Sequence, residues 1–156
     1  EPVRTAAATN RLLRDRVAPT EYVTAVYGVL DPLKGRLDYS NCGHAPAIHV
    51  RADGGYAKLT TGGPPLGLLA GARYLAGEAT IGPGDLLLLF TDGVVEAEDS
   101  AGREFGVDRL AQVASALRRL PSAEIVRAIV KETAEFCESP DYADDFTLLA
   151  LKRLPA

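Results

Sequence analysis

The chain of 156 residues has the length of one small domain, and it contains no Met. Its 47% hydrophobic and 24% charged residues lie near the averages of globular proteins, which excludes a disordered or collagen-like chain. Its 17 basic and 21 acidic residues give a net charge of −4 without an extended Lys/Arg cluster, which excludes a general binder of nucleic acid or anionic membranes. Because a complete translated protein begins with Met, we expect a processed chain or a domain cut from a longer protein.

Two cysteines, Cys42 and Cys137, lie far apart and form no Cys-x-x-Cys pattern. Such cysteines are typical of buried free thiols in a reducing compartment, although their spacing leaves a disulfide open. The longest apolar stretch, Leu86–Phe90, has the length of a strand and falls far short of the ~18 residues of a membrane span. We therefore expect a cytoplasmic protein without a membrane-spanning segment.

The first half of the chain begins with a helix pattern and continues with strand patterns. Residues 5–17 predict a helix that ends before Pro19, because the residue before a proline avoids helical geometry. Residues 22–30 and 36–40 predict two strands joined by a turn. Ala47–Val50 and Tyr56–Leu59 predict a hairpin, and residues 61–67 predict a Gly/Pro loop.

The second half changes from strand to helix periodicity. Residues 73–81 alternate as a strand does, and residues 86–91 predict a central strand that is buried on both faces. An amphipathic helix pattern ends near Leu117, and Ser122 is the predicted N-cap of a second helix. Residues 146–151 predict a last strand. Strands followed by helices predict an α+β fold with antiparallel pairing in a single domain over residues 1–156.

Two acidic segments border the predicted strands. Asp92 comes directly after the most hydrophobic strand, and Asp144 and Asp145 come directly before the last strand. If these strands are neighbours, the three carboxylates converge. A set of oxygen ligands without Cys or His suits Mg²⁺ or Mn²⁺. The alternative is that these acids are turn and loop residues, since Asp-Gly is a common turn pair.

The remaining polar features favour structural roles. His44 lies in a Gly/Pro turn, where a structural role is the main interpretation and catalysis the lesser one. His49 lies inside a predicted strand and is expected at the surface or at an interface. Residues 62–67 lack the Gly-Lys-Ser/Thr ending of a phosphate loop, and neither a Gly-x-Ser-x-Gly segment nor an obvious Cys–His pair predicts a covalent nucleophile.

Seven segments in order resemble the motifs of one family. They are 22–31 (Y-V-T-A-V-Y-G-V-L-D), 40–46 (S-N-C-G-H-A-P), 63–67 (G-P-P-L-G), 83–85 (P-G-D), 90–97 (F-T-D-G-V-V-E-A), 105–106 (F-G) and 144–149 (D-D-F-T-L-L). The first two resemble the motifs F-V-T-x-x-Y-G-x-L-D and S-N-A-G-H-x-P. From about residue 20 to residue 152, the chain is similar to the metal-dependent serine/threonine phosphatases of the sporulation stage II protein E (SpoIIE) type, in the PPM superfamily.

The resemblance implies a β-sandwich of two antiparallel sheets flanked by helices, with two Mn²⁺ or Mg²⁺ ions at one end. A metal-activated water hydrolyses phosphoserine or phosphothreonine in such enzymes. The substrate is often an anti-sigma-factor antagonist, which is a regulatory phosphoprotein. The alternative function is a catalytically incomplete phosphatase-like module that binds a signalling partner.

The resemblance also assigns roles to individual residues. Asp92 and Asp144 match the catalytic metal ligands, and Asp145 is a further ligand or a group that fixes the loop. Gly93 is expected to permit the turn that aims the Asp92 carboxylate. Asn41, Gly43 and His44 match residues that shape the site. Separately, Glu96 follows Asp92 by four positions, and helical spacing leaves two interpretations: the rim of the site or, as the main one, a solvated face.

One motif of the family has no counterpart. The first motif, G-D-x-x-G-H/K-G, is absent from residues 1–20, and Asp15 lies in the predicted helix without neighbouring glycines. We therefore expect this chain alone to form an incomplete binuclear site with little or no activity. We also expect exposed strand edges, and hence self-association or a partner chain that fills the gap. An upstream sensor domain is a separate expected partner.

Overall fold

The computed structural model describes residues 1–18, 20–137 and 145–154. In chain order the elements are α1 (Pro2–Arg14), β1 (Ala25–Asp31), β2 (Arg36–Cys42), β3 (Ala47–Val50), β4 (Tyr56–Leu59), β5 (Gly62–Gly63), β6 (Gly77–Thr80), β7 (Leu86–Phe90), α2 (Asp92–Val95), α3 (Val107–Leu117), α4 (Ser122–Cys137) and β8 (Leu148–Lys152). They form two compact units, Glu1–Pro46 with Leu59–Thr80 and Ala47–Lys58 with Ile81–Ala156. The single-domain expectation stays a prediction.

The first unit contains a four-stranded sheet built around β2. This strand pairs antiparallel with β1 and β6 and parallel with the short β5. Helix α1 packs beside the sheet, where Ala6, Cys42, Leu66 and Tyr74 form a buried cluster. The predicted α+β class with antiparallel pairing is confirmed, and β5 is the parallel exception.

Asn10 fixes the Gly/Pro loop of the first unit to α1. Its side chain is 2% exposed, donates to the carbonyl oxygen of Leu69 at 3.0 Å and accepts from the backbone N–H of Gly67 at 2.8 Å. Arg14 donates to the carbonyl of Leu68. The helix ends at Arg14, so the expectation that Asp15 lies within it was wrong: Asp15 is the C-cap.

The second unit contains a sheet in the order β4-β3-β7-β8. The central strand β7 pairs antiparallel with β3 and β8, and its most buried leucines, Leu86 and Leu88, are fully inaccessible. Helices α3 and α4 cover this sheet with the fully buried side chains of Leu110, Ile125 and Ile129. The prediction of a central strand and two amphipathic helices is confirmed.

Several predicted boundaries were wrong. The strand predicted over residues 73–81 forms only at Gly77–Thr80, because Tyr74 enters the buried cluster while Leu75 stays exposed. Ser122 is the first residue of α4 and not its N-cap. Residues 62–63 of the predicted loop form β5, where a Cβ on Gly62 would lie 1.7 Å from the carbonyl oxygen of Asn41. Only glycine permits this close approach.

The expectation for His49 was also wrong. His49 lies in β3 as predicted, but it is only 7% exposed, and its Nε2 lies 2.8 Å from Oδ2 of Asp85. Asp85 also accepts hydrogen bonds from the backbone N–H groups of Ala52 and Gly82 at 2.8 Å each. A histidine can occupy this buried face because the carboxylate satisfies its ring nitrogen.

Cys42 and Cys137 are free thiols, as the main interpretation of the sequence expected, but only Cys42 is buried and Cys137 is half-buried. Burial raises the pKa of both thiols, so neither has the lowered pKa of a reactive cysteine. Across the described ranges, no helix combines the length and the apolar character needed to cross a bilayer.

Candidate metal centre

The register of β7 and β8 brings the two predicted acidic segments to the same end of the second sheet. The strands are antiparallel neighbours, and Phe90 at the end of β7 pairs with Leu148 at the start of β8. Asp92 follows Phe90 by two residues, and Asp145 precedes Leu148 by three. The condition on which the sequence argument depended, that these strands are neighbours, is therefore confirmed.

Thr91 joins the two segments. Its hydroxyl donates to the carbonyl oxygen of Asp145 at 2.7 Å and accepts from the N–H of Thr147 at 2.9 Å. Its own N–H donates to the carbonyl of Thr147 at 3.0 Å. The sequence alone did not predict this role. A threonine directly before Asp-Gly indicates a helix N-cap and carries no signal for a partner on another strand.

Asp92 is the first residue of the four-residue helix α2, with Thr91 as N-cap. Its carboxylate is exposed, and Oδ1 accepts from the N–H of Gly93 at 3.2 Å. Gly93 is buried within α2, so helical backbone follows Asp92 directly, and the expected role of Gly93 in aiming the Asp92 carboxylate stays a prediction. Glu96 is exposed at the end of α2, as expected.

Asp92 and Asp145 are the candidate ligands among the described residues. Both are exposed, and their oxygen-only chemistry fits a hard divalent cation. The third candidate, Asp144, lies outside the described residues. Within the described part of the chain, no cluster of three or more His, Cys, Asp or Glu side chains could hold a metal ion. The described donors therefore fit such an ion chemically but do not complete its coordination.

Asn41, Gly43 and His44 form a fixed loop in the first unit. The Asn41 side chain accepts from the N–H of His44 at 2.8 Å and donates to its carbonyl at 2.9 Å. Gly43 has a φ of 71°, and a Cβ there would lie 2.5 Å from Pro65. The ring nitrogen Nδ1 of His44 lies 3.0 Å from the Thr24 hydroxyl. These contacts give the three residues a structural role in the loop. Their role in shaping an active site stays a prediction.

The Phe-Gly motif fixes the start of α3 in the second unit. Phe105 is 2% exposed and meets Phe136 edge to face, with ring centroids 5.4 Å apart. Gly106 is the N-cap of α3 at a φ of 79°, which favours glycine. The guanidinium of Arg109 lies 4.4 Å from the centre of the Phe136 ring. This packing orders the segment that follows α2.

A Thr91→Val substitution is expected to destabilise the second unit by about 1–2 kcal/mol, because it removes both hydroxyl hydrogen bonds and keeps the side-chain volume. The matched Thr91→Ser substitution keeps the hydroxyl and should cost less than about half as much. Urea unfolding of the two variants measures the difference. A larger loss for Thr91→Ser than for Thr91→Val would show that the methyl group of Thr91, and not its hydroxyl, holds the segment.

A sequence profile of the family described as "Stage II sporulation protein E (SpoIIE)" matches residues 1–154. The chain belongs to the SpoIIE family. Its resemblance to SpoIIE-type PPM phosphatases is therefore confirmed. Two curated proteins illustrate the similarity of this SpoIIE-family chain to others.

Protein IcfG of Synechocystis sp. is 29% identical over 148 residues, which cover 92% of the chain and 23% of IcfG. Phosphoserine phosphatase RsbU of Bacillus subtilis is 26% identical over 145 residues, which cover 92% of the chain and 43% of RsbU. The SpoIIE-family chain thus spans less than half of the length of each of these relatives.

Solved structures share the fold of this SpoIIE-family chain. The RsbU and RsbW domains of Rv1364c from Mycobacterium tuberculosis align with a TM-score of 0.75 and 28% identity, covering 99% of the chain and 42% of that protein. The SiaA-PP2C domain of Pseudomonas aeruginosa aligns with a TM-score of 0.84 and 22% identity, covering 97% and 61%. RsbX in complex with magnesium aligns with a TM-score of 0.64 and 18% identity, covering 96% and 64%.

Proposed function

We propose that the chain is the larger part of a metal-dependent protein serine/threonine phosphatase domain. The observation that carries the proposal is the pairing of β7 with β8, which brings Asp92 and Asp145 to one sheet end. Membership of the SpoIIE family supports a phosphatase, and the oxygen donors support Mn²⁺ or Mg²⁺ as the cofactor.

Asp92, Asp144 and Asp145 are the residues that would hold metal ions. The complete domain would hold two such ions. When bound, such ions lower the pKa of a water molecule and neutralise charge on phosphoryl oxygens. The chain contributes orientation: Thr91 fixes the backbone of Asp145, and α2 fixes the direction of Asp92. Because the carboxylates are exposed, a phosphorylated side chain of another protein can approach them.

The proposed substrate is a regulatory protein phosphorylated on serine or threonine, of the anti-sigma-factor antagonist type. The similarity to RsbU, a phosphoserine phosphatase, supports this substrate class. The proposal places the reaction in the cytoplasm and includes control by a sensor domain or by a second copy. Neither nucleic acid nor membrane is a proposed partner.

A second candidate is a phosphatase-like module that binds a signalling partner without catalysis. The observation in its favour is that residues 1–20 contain no counterpart of the G-D-x-x-G-H/K-G motif. The two candidates differ in one measurable property, namely metal-dependent hydrolysis.

The test is Mn²⁺-dependent release of phosphate from p-nitrophenyl phosphate and from a phosphoserine peptide. We expect background rates from this chain and turnover once it is preceded by a segment with a G-D-x-x-G-H/K-G motif. An inactive extended protein that still binds Mn²⁺ would favour the binding module. Hydrolysis by the unextended chain that Asp92→Ala abolishes would support the phosphatase and contradict the expected inactivity of this chain.

A further inference from the structure

A basic pocket lies within the second unit, away from the candidate ligands. Its volume is about 410 Å³, and it is lined by Ala52, Gly84, Arg118, Arg119, Pro121, Lys152 and Leu154. Three of these residues are cations and none is an acid. In a chain with a net charge of −4, this concentration of positive charge departs from the average surface.

The basic pocket lies at the sheet end opposite Asp92. Lys152 pairs with Leu86 at the start of β7, whereas Asp92 follows the end of β7. A strand rises about 3.4 Å per residue, so the length of β7 alone separates the two ends by roughly 14 Å. The pocket is therefore distinct from the candidate metal centre.

The cations of the basic pocket are positioned by backbone carbonyls. The ammonium of Lys152 donates to the carbonyl oxygens of Arg118 and Leu120 at 2.6 and 2.7 Å. The guanidinium of Arg118 donates from Nε to Ala52 at 3.1 Å and from Nη1 to Ser115 at 2.8 Å. Carbonyl partners orient a cation and leave its net charge in place, so both side chains keep their charge for a ligand.

The wall of the basic pocket is fixed from inside the unit. The N–H of Ala52 donates to Oδ1 of the buried Asp85, whose Oδ2 meets His49. The carbonyl of the same residue, Ala52, accepts from Arg118. Hydrogen bonds through Ala52 thus connect the Arg118 guanidinium to the buried pair of Asp85 and His49. Such a connection preorganises a binding surface.

We propose that the basic pocket binds a short segment of a partner protein in which carboxylate side chains flank an apolar side chain. Arg119 is exposed and, with Lys152 and Arg118, offers N–H donors to carboxylates. Pro121 and the 74%-exposed Leu154 offer apolar contact. A pocket of this volume is in the range that holds small ligands and a few side chains. Three cations are fewer than the phosphate contacts that a nucleic-acid site usually makes.

The experiment uses the 156-residue chain and a fluorescein-labelled seven-residue peptide of alternating glutamate and leucine, titrated at low salt by fluorescence anisotropy. We expect saturable binding, with Kd raised about tenfold by Arg119→Glu. The matched control is Arg127→Glu on α4, an exposed arginine outside the pocket, which should change Kd by less than about twofold. The same peptide with glutamine in place of every glutamate should bind at least about tenfold more weakly.

Backbone amide chemical shifts locate the complex. The proposal expects peptide-induced shifts at Ala52, Gly84 and Leu154 and none at Gly93. It is overturned if the peptide does not bind, if Arg119→Glu and Arg127→Glu weaken binding equally, or if the shifts occur only at Gly93. It is equally overturned if phosphatidylserine vesicles or single-stranded DNA occupy these residues more tightly than the peptide does, or if a second copy of the chain covers them without peptide.

Discussion

Asp92→Asn is expected to weaken Mn²⁺ binding by this chain at least about tenfold, because it replaces a charged oxygen ligand with a neutral one. The carboxylate is exposed, so the free energy of unfolding should change by no more than about 0.5 kcal/mol. Isothermal titration calorimetry with Mn²⁺ measures the affinity, and urea unfolding shows that the fold is retained.

The control for Asp92→Asn is Glu96→Gln, which makes the same charge change four residues later. Glu96 is also exposed, and its backbone N–H donates to the carbonyl of Asp92. If the two substitutions weaken Mn²⁺ binding equally, the ion responds only to the overall charge of the region. Unchanged affinity in Asp92→Asn would remove Asp92 from the proposed ligand set.

The sequence was sufficient to predict those elements in which the local residue pattern agrees with the observed burial. Leu86–Phe90 is apolar at every position, and the structure buries it between two other strands. The hairpin Ala47–Val50 and Tyr56–Leu59 formed with the predicted bounds. The position of Asp92 followed from the end of the central strand, because a strand end fixes where its next residues emerge.

Long-range contacts explain what the sequence could not predict. His49 lies among the buried apolar residues of β3, and the carboxylate that meets its ring nitrogen, Asp85, is distant in sequence. The sequence around Gly62 is typical of a loop, and its place in a strand follows from its pairing with Asn41. Thr91 acts through Asp145 and Thr147, more than 50 residues further along the chain. Sequence spacing carries no direct signal for such pairs. The role of Asp144 rests on its position before the last strand and on the resemblance.

Asp85→Ala is expected to destabilise the second unit by about 3 kcal/mol. Asp85 is 6% exposed, and its removal leaves His49, Ala52 and Gly82 without the carboxylate that accepts their hydrogen bonds. Chemical unfolding at pH 7 measures the loss. Asp53→Ala is the control in the neighbouring hairpin: Asp53 is exposed and accepts from Gly55, and its removal should cost less than about 1 kcal/mol. Equal costs would show that burial of the acceptor does not decide its contribution.

The same carboxylate makes stability depend on acidic pH. Burial raises the pKa of Asp85, but hydrogen bonds from His49, Gly82 and Ala52 outweigh it and hold the pKa below the ordinary 3.8. Since the folded state favours the charged form, the stabilisation is complete above the ordinary pKa and is lost as the pH falls through the lowered one. The stability difference between the wild-type chain and Asp85→Asn should therefore shrink between about pH 5 and pH 2. Asp31 and Asp99, whose pKa values are also lowered by hydrogen bonds, titrate in both proteins and cancel in this difference. A difference that stays constant down to pH 2 would show that Asp85 stabilises the unit through packing and not through its charge.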